Sequence, residues 1–384
     1  MPQILTGARI FDGQRLISGH ALVIEDGVIR SIIPADSAPA GSQRVEGIIA
    51  PGFVDLQVNG GGGVMVDGAT DLHALRHICA THLRLGCAGI LPTLISDTPE
   101  ATRQVIAAAY AAAWTGVPGF LGLHLEGPHL DPRRHGAHDP AVLRPMTSED
   151  LDLLCDAARA LPVLMVTLAP EAATPEQIAT LVGAGAVVSL GHSDCDFDTA
   201  SAAYAAGAGC TTHLFNAMSQ MGHRQPGLVG AALTESRAIG LIADAVHVHP
   251  AAMRIALSAR SEGVFLVSDC MAFAGTDLTE MPLNGRLMYR QNGRLTLADG
   301  TLAGADLRLD RALQVLVGEV GIPAERALAM ATSEPARAIG LDDRYGHIIP
   351  GRHADMILLD DRLTLQSVWQ YDEWQPALQQ NAAL

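Results

Sequence analysis

Residues 121–130 read Leu-Gly-Leu-His-Leu-Glu-Gly-Pro-His-Leu, and the class of fold can be inferred from this segment. A continuous apolar run ends on a carboxylate, Glu126, and Gly127-Pro128 stops the run at once. The pattern is typical of a buried parallel strand that presents one polar side chain at the carboxyl edge of its sheet. We therefore expect a parallel sheet whose functional residues follow the ends of its strands.

Strand-like and helix-like stretches alternate through the middle of the chain. About eight strands alternating with Ala-rich helical patterns predict a (β/α)8 TIM-like barrel. A doubly wound open sheet is the alternative, but no Gly-x-Gly-x-x-Gly opens a helix after the first strand. The predicted strands are 48–58, 87–94, 120–126, 163–168, 187–192, 211–216, 239–248 and 264–269. The predicted helices include 99–114, 148–160, 175–182 and 251–259.

Both ends of the chain contain short β-like segments. Asp26-Gly27 lies between two apolar stretches, which is a strong hairpin signal, and residues 346–360 are again β-like. Neither end is long enough to fold well alone. We therefore expect residues 1–50 and 345–384 to pair as one small β-sandwich domain, with 51–344 as the catalytic barrel.

Composition limits the class of protein. The 384 residues are 48% hydrophobic and carry a formal net charge of −16, which disfavours nucleic acid and anionic membranes as partners. No apolar run reaches the length of a membrane span, and the N-terminus lacks a charged region before a long apolar core. We therefore expect a soluble cytoplasmic protein. The scattered cysteines favour neither a disulfide framework nor a thiolate zinc site.

Later strands also end on residues that suit a metal centre. The fifth, sixth and eighth predicted strands end at or near His192, His213 and Asp269. Two imidazoles and two carboxylates at the carboxyl edge of one sheet are the groups of a catalytic metal site. Singly, each histidine could be a packed or surface side chain, and Glu126 could cap a helix or form half of a salt bridge. Together, at strand ends identified independently from hydrophobicity, they favour the metal site.

Several short motifs follow one another in the order found in a known family. On these motifs the chain resembles the amidohydrolase superfamily, and within it the N-acetylglucosamine-6-phosphate deacetylase family. The resemblance implies hydrolysis of N-acetylglucosamine 6-phosphate to glucosamine 6-phosphate and acetate, in amino-sugar catabolism. The motifs are residues 51–63, His124-Leu-Glu-Gly-Pro, Gly136-Ala-His-Asp-Pro, Gly191-His-Ser, Thr212-His-Leu-Phe-Asn-Ala-Met, Pro226-Gly, Ala243-Asp, Ser268-Asp and Thr301-Leu-Ala-Gly.

The chain departs from the wider superfamily at the first strand. Where the superfamily usually has His-x-His, this sequence has Gln57 and Asn59, and amide oxygens bind zinc more weakly than imidazole nitrogens. The chain has no lysine, so it cannot form the carbamylated lysine that bridges two metals. The resemblance therefore implies one tightly held divalent ion, bound by Glu126, His192 and His213. Zn²⁺ suits this set best, although Fe²⁺, Co²⁺ or Mn²⁺ could fill it.

Two residues are candidates for the chemistry itself. A metal-activated water needs a base, and the leaving amine needs an acid. One carboxylate beside the metal can act as both, and the resemblance implies that role for Asp269. The resemblance also places His138 at the substrate, where it could donate to the acetyl carbonyl oxygen as charge develops. The alternative for His138 is a loop histidine bonded to Asp139 or to the backbone.

The phosphate of the implied substrate needs cationic or N–H donors. The candidates are Arg224 and His247, and in the family the arginine comes from the neighbouring subunit. The resemblance therefore implies a homodimer with shared active sites. It also implies substrate contacts at Ala137, His138, Asn216, Ala217, Leu302, Ala303 and Gly304.

Two other functions remain as alternatives. One is a different amidohydrolase, such as a deaminase or a cyclic amidase acting on an uncharged ring. The other is a non-catalytic protein that binds sugar phosphates. The sequence is compatible with either the glucosamine or the galactosamine epimer of the substrate.

Overall fold

The computed structural model describes residues 2–283, 285–370 and 372–378. At its centre is one sheet of eight parallel strands, in which each strand pairs with the next in chain order. A parallel bridge between Val58 and Cys270 joins the first strand to the segment after the last, so the predicted (β/α)8 barrel is confirmed. The strands are β1 (Phe53–Val58), β2 (Cys87–Ile95), β3 (Leu123–Glu126), β4 (Leu164–Leu168), β5 (Val187–Leu190), β6 (Cys210–Thr211), β7 (Ala238–Leu241) and β8 (Val264–Leu266).

Helices alternate with these strands. They are α1 (Leu72–Arg84), α2 (Pro99–Trp114), α3 (Ser148–Ala160), α4 (Pro175–Gly183), α5 (Phe197–Ala205), α6 (Gly227–Glu235), α7 (Pro250–Ala259), α8 (Leu309–Val315), α9 (Ala324–Ala331) and α10 (Ser333–Ala338), with a π-helical turn at Leu316–Val320 and 3-10 turns at Ala35–Ser37 and Pro132–Arg134. Helices α2 and α3 have the predicted bounds. The α3 start is fixed by a capping box between Thr147 and Asp150. None of the helices in the described ranges combines the length and the hydropathy of a membrane span.

Several predicted strands were too long. The predicted strand 48–58 is divided at Gly52, because its first part pairs with strands from the chain ends and only the second part joins the barrel. The predicted strands 211–216 and 264–269 end at Thr211 and Leu266. The backbone beyond these ends enters the left-handed region, with φ of 26° at His213 and 49° at Asp269. A residue in that region cannot continue a β ladder, so each strand ends before it.

Strands from both ends of the chain pair beside the barrel. Ile48–Pro51 pairs in parallel with Arg9–Phe11 and antiparallel with Met356–Leu359. The division into domains 1–50 plus 345–384 and 51–344 stays a prediction, and residues 379–384 lie outside the described part. One sheet contains Val28–Pro34, His20–Glu25, Gln3–Thr6 and Gln43–Arg44. The second contains Glu373–Pro376, Leu365–Gln370, Met356–Leu359, Ile48–Pro51, Arg9–Phe11 and Leu16–Ile17.

A three-stranded meander lies in the connection between β8 and α8. Its strands Glu280–Leu283, Arg286–Gln291 and Arg294–Leu297 pair antiparallel in sequence. The guanidinium of Arg286 donates a hydrogen bond to the carbonyl of Ala137, which ties the meander to the loop after β3. A small hairpin of Gly60–Gly61 and Val64–Met65 follows β1.

Candidate active site

The predicted metal ligands meet at the carboxyl ends of the barrel strands. Glu126 is the last residue of β3, while His192 and His213 lie two residues beyond β5 and β6. All three are buried, and their ligand atoms lie within 4.8 Å of one another. Oε1 of Glu126 lies 3.2 Å from Nε2 of His192 and 3.1 Å from Nε2 of His213. Side chains that are far apart in the sequence thus form one compact group.

The chemistry of this group fits a divalent cation. The two Nε2 atoms are only 3.0 Å apart, and both face the same carboxylate oxygen. Burial alone would raise the pKa of Glu126, but the adjoining imidazoles of His192 and His213 outweigh it and hold the pKa well below its usual range. One ionised carboxylate and two imidazole nitrogens are the ligand types of a zinc centre with one open position.

The backbone at three residues of this site is unusual. His192 and His213 have φ values of 47° and 26°, and Asp269 has 49°. Non-glycine residues rarely adopt positive φ, and such residues are held there by their surroundings, often at active sites. His192 and His213 lie two residues beyond their strands, and Asp269 lies three residues beyond β8. The turn at each position therefore directs a polar side chain into the mouth of the barrel.

The neighbours of the two histidines differ. Nδ1 of His192 donates to the carbonyl oxygen of Arg134 at 2.8 Å, which leaves Nε2 as the free ligand atom. Nδ1 of His213 is buried and has no hydrogen-bond partner within the described ranges. On the carboxylate, Oε1 of Glu126 also accepts a hydrogen bond of 3.0 Å from the side-chain amide of Gln57.

Asp269 lies next to this group and is almost completely buried. Burial raises the pKa of Asp269 to about 6, and the charge of Glu126 acts in the same direction. Its Oδ1 accepts a hydrogen bond of 2.8 Å from the side-chain amide of Asn59. A buried carboxyl with a raised pKa can accept a proton near neutral pH and later return it.

His138 is a neutral hydrogen-bond donor in this site. Its Nδ1 accepts hydrogen bonds from the backbone N–H of Ser96 at 3.1 Å and from the Ser96 hydroxyl at 2.7 Å. Burial lowers the pKa of His138 to about 3, and His192 acts in the same direction. A neutral imidazole that accepts at Nδ1 carries its proton on Nε2, and this Nε2 lies 3.9 Å from Oε2 of Glu126.

These side chains line one cavity of about 260 Å³. The predicted substrate contacts that line it are Ala137, His138, Asn216, Ala217, His247, Leu302 and Gly304. Ala303 is instead buried in the hydrophobic cluster under the meander, and Arg224 is exposed and outside the cavity. Residues that the sequence analysis did not assign to the substrate also line it, namely Asn59, Ile95, Gly136, Ile242, Met271 and Thr301. Gly136 and Thr301 each begin one of the family motifs, and that position was the signal for them in the sequence.

His247 is held at the rim by an acidic neighbour. Its Nδ1 lies 2.6 Å from Oδ2 of Asp244, and Oδ1 of Asp244 accepts the backbone N–H groups of Val246 and His247. Because Asp244 occupies Nδ1, the other ring nitrogen of His247 remains for a ligand.

A larger cavity of about 680 Å³ lies at the opposite end of the barrel, lined by Gly52, Cys87 and Met356 among others. The group of three metal-ligating side chains found among the described residues borders the smaller cavity instead. Since the carboxyl ends of barrel strands carry the functional residues of such folds, we place the active site there.

Comparison with known proteins agrees with this geometry. The Amidohydrolase family profile matches residues 48–380, and the NagA composite domain profile matches residues 4–46. An N-acetylgalactosamine-6-phosphate deacetylase of Shewanella sp. (strain ANA-3) is 38% identical over 373 residues, which cover 95% of this chain and 94% of the relative. An N-acetylglucosamine-6-phosphate deacetylase of Haemophilus influenzae is 33% identical over 362 residues, 93% of this chain and 94% of the relative.

Solved structures of N-acetylglucosamine-6-phosphate deacetylases also resemble this chain. A crystal structure of N-acetylglucosamine-6-phosphate deacetylase from Pasteurella multocida superimposes with a TM-score of 0.92 at 31% identity, over 98% of this chain and 100% of that one. A mutant of the Mycobacterium smegmatis enzyme in complex with N-acetyl-D-glucosamine-6-phosphate has a TM-score of 0.88 at 30% identity, over 97% and 99%. The chain therefore belongs to the amidohydrolase family, and within it to the N-acetylhexosamine-6-phosphate deacetylases.

Proposed function

We propose that this protein hydrolyses the acetamide of N-acetylglucosamine 6-phosphate, releasing glucosamine 6-phosphate and acetate. The observation that carries the proposal is the convergence of Glu126, His192 and His213 beside Asp269 and His138 in one cavity. The N-acetylgalactosamine epimer is the second candidate, because the relative that is 38% identical is named for it.

Glu126, His192 and His213 would hold one divalent ion, most simply Zn²⁺. When bound, such an ion polarises a carbonyl oxygen as a Lewis acid and lowers the pKa of a water. The protein supplies the remaining groups. Burial of the site keeps bulk water away from these charges, which strengthens every electrostatic interaction inside it.

Asp269 would move the protons of the reaction. As a carboxylate it takes a proton from the water that attacks the acetyl carbon, and it then delivers that proton to the leaving nitrogen. Its raised pKa suits both steps, because the group is ionised near neutral pH and is still basic enough to hold the proton between them.

His138 would stabilise the negative charge that develops on the carbonyl oxygen. The Ser96 contacts place the ring proton on Nε2, so the ring can donate to that oxygen without first gaining a proton. A fixed donor of this kind is worth about 3 to 4 kcal/mol in comparable oxyanion sites.

The phosphate requires a cation that this cavity lacks. No arginine lines the cavity in the described part of the chain, and the sequence contains no lysine. His247 borders the cavity and offers one ring nitrogen. We therefore propose that Arg224, which is exposed on its own subunit, reaches the phosphate in a neighbouring subunit of a homodimer.

The test is acetate release by the purified protein from both epimeric sugar phosphates, with metal analysis of the same sample. We expect one divalent ion per chain and release that favours the glucosamine epimer. A higher kcat/KM on the galactosamine epimer would transfer the assignment to it. Hydrolysis of an uncharged cyclic amide or deamination, without acetate release, would support the other amidohydrolase chemistries. Sugar phosphate binding without turnover in metal-loaded protein would indicate a binding protein.

A further inference from the structure

We propose that two side-chain amides on β1 are positioning residues, with Asn59 orienting Asp269 and Gln57 orienting Glu126. The inference rests on the proposed function, because it takes Asp269 as the acid and base of deacetylation. In the sequence these amides were interpreted as lost metal ligands. Their contacts indicate a different role, in which each amide holds one carboxylate of the site.

The placement follows from strand geometry. Alternate residues of a strand point to the same side, so Gln57 at the end of β1 and Asn59 just after it both face the barrel interior. Both are almost fully buried, with 2% and 1% of their surface exposed. The amide of Asn59 lies 2.8 Å from Oδ1 of Asp269, and that of Gln57 lies 3.0 Å from Oε1 of Glu126. An ionised carboxylate can only accept, so the amide nitrogens must face it.

The hydrogen bond from Asn59 decides which carboxylate oxygen of Asp269 reacts. Its backbone is already fixed, because its N–H donates to the Gln57 carbonyl at 3.1 Å and its carbonyl accepts from Ala305 at 2.8 Å. The side-chain torsions remain, and the hydrogen bond from Asn59 fixes them by holding Oδ1. Oδ2 is then the oxygen available for proton transfer. A neutral amide also holds the carboxylate without the full positive charge of a cation, which would make it a weaker base.

Stability alone does not explain the amide at residue 59. Its Oδ1 is buried and has no hydrogen-bond partner within the described ranges, and such an orphaned acceptor costs about 1 to 3 kcal/mol. An apolar side chain of similar volume would avoid that cost. The amide is therefore better explained by what its nitrogen does for Asp269.

The main variant is Asn59→Leu, which removes the donor at similar volume. We expect kcat to fall about 10- to 100-fold, as for other partners that orient reacting groups, with KM and metal content within twofold of the wild type. In the Asp269→Asn background the same substitution should have almost no further effect on kcat. If Asn59→Leu lowered kcat by the same factor in the wild type and in the Asp269→Asn variant, the role of Asn59 would be structural and the assignment would be overturned.

Gln57→Leu is the matched control on the same face of the same strand. Because the side chain of Gln57 contacts Glu126 and only its backbone contacts Asp269, we expect zinc affinity of the metal-free protein to fall about 10- to 100-fold, measured by competition with a chelator. Asn59→Leu should leave that affinity within twofold. The reverse pattern, or equal effects of both variants on affinity, would overturn the division of roles.

A second variant serves if Asn59→Leu does not fold, and a crystal structure tests the inference without the acetate-release assay. If Asn59→Leu is insoluble, Asn59→Asp replaces the donor with an acceptor of the same shape and should give the same loss of kcat. A crystal structure of either variant should show the Asp269 carboxylate rotated away from its wild-type orientation. An unmoved carboxylate would overturn the inference. Absence of acetate release by the wild type would instead refute the proposed function, without changing the result from the crystal structure.

Discussion

Asp55 should make the protein less stable as pH rises from acid to neutral. This carboxyl is buried in the barrel, where it accepts backbone N–H groups of Ser268 and Gln57, each at 3.2 Å. Burial raises its pKa from 3.8 to about 7, although the hydrogen bonds from Ser268 and Gln57 act in the opposite direction. The substitution Asp55→Asn keeps an acceptor oxygen at this position and removes the ionisation.

The direction in which stability changes with pH follows from the number of protons that the folded and unfolded states bind. Between the unfolded pKa near 3.8 and the folded value of about 7, the folded protein holds a proton at Asp55 that the unfolded chain has lost. Stability attributable to this group therefore falls as pH rises through that interval. At about 1.4 kcal/mol per pH unit, the total is about 4 kcal/mol, of which about 3 kcal/mol falls between pH 5 and 8. Asp55→Asn removes this dependence.

The assay compares melting temperatures of wild type and Asp55→Asn at matched pH values from 5 to 8. An unfolding entropy of about 2.1 cal/mol/K per residue gives about 0.8 kcal/mol/K for 384 residues. The wild type should therefore lose about 4 °C relative to the variant across this range. Both proteins carry the same metal ligands, so protonation linked to metal binding cancels in the difference. A constant difference, or a wild type that gains relative stability with pH, would refute the reasoning.

Four other results are expected. Asp269→Asn should lower kcat about 100-fold or more while metal content stays constant, and near-normal turnover would remove Asp269 from its role. Arg224→Ala should raise KM at least about tenfold for a phosphorylated substrate and leave the unphosphorylated sugar nearly unaffected; equal losses on both would contradict the phosphate contact. A chelator should abolish acetate release and zinc should restore it, and persistent activity in metal-free protein would contradict the metal site. Glu126→Gln should weaken zinc binding at least about tenfold, measured by competition with a chelator, and unchanged affinity would exclude Glu126 as a ligand.

Much of the fold could be predicted because its signals are local. The apolar run before Glu126 identifies β3, and the alternation of similar runs with Ala-rich helices identifies the barrel. Helix α3 was predicted to the residue, since Thr147 and Asp150 form a local capping box. The ends of β6 and β8 were not predicted correctly. Left-handed backbone at His213 and Asp269 stops these strands, and such conformations depend on tertiary contacts that a sequence pattern does not contain.

The sequence predicted which residues form the site, but it did not predict all the hydrogen bonds between them. The sequence brought Glu126, His192 and His213 together as candidates, and in the structure they form one buried group. It also singled out Asn59, but as a weak substitute for a ligand. Its hydrogen bond to Asp269 joins residues that are far apart in the chain. The orientation of the amide therefore depends on tertiary structure, which a local sequence pattern does not contain.

The pairing of the chain ends has a consequence during synthesis. Ile48–Pro51 leads directly into β1, yet its antiparallel partner Met356–Leu359 is made only after nearly all of the barrel. On the ribosome, Ile48–Pro51 therefore keeps an unpaired edge until Met356–Leu359 has been made, and exposed edges of this kind favour aggregation. Met356–Leu359 thus covers an edge that is made about 300 residues earlier, and nascent chains truncated before Met356 would carry that edge uncovered.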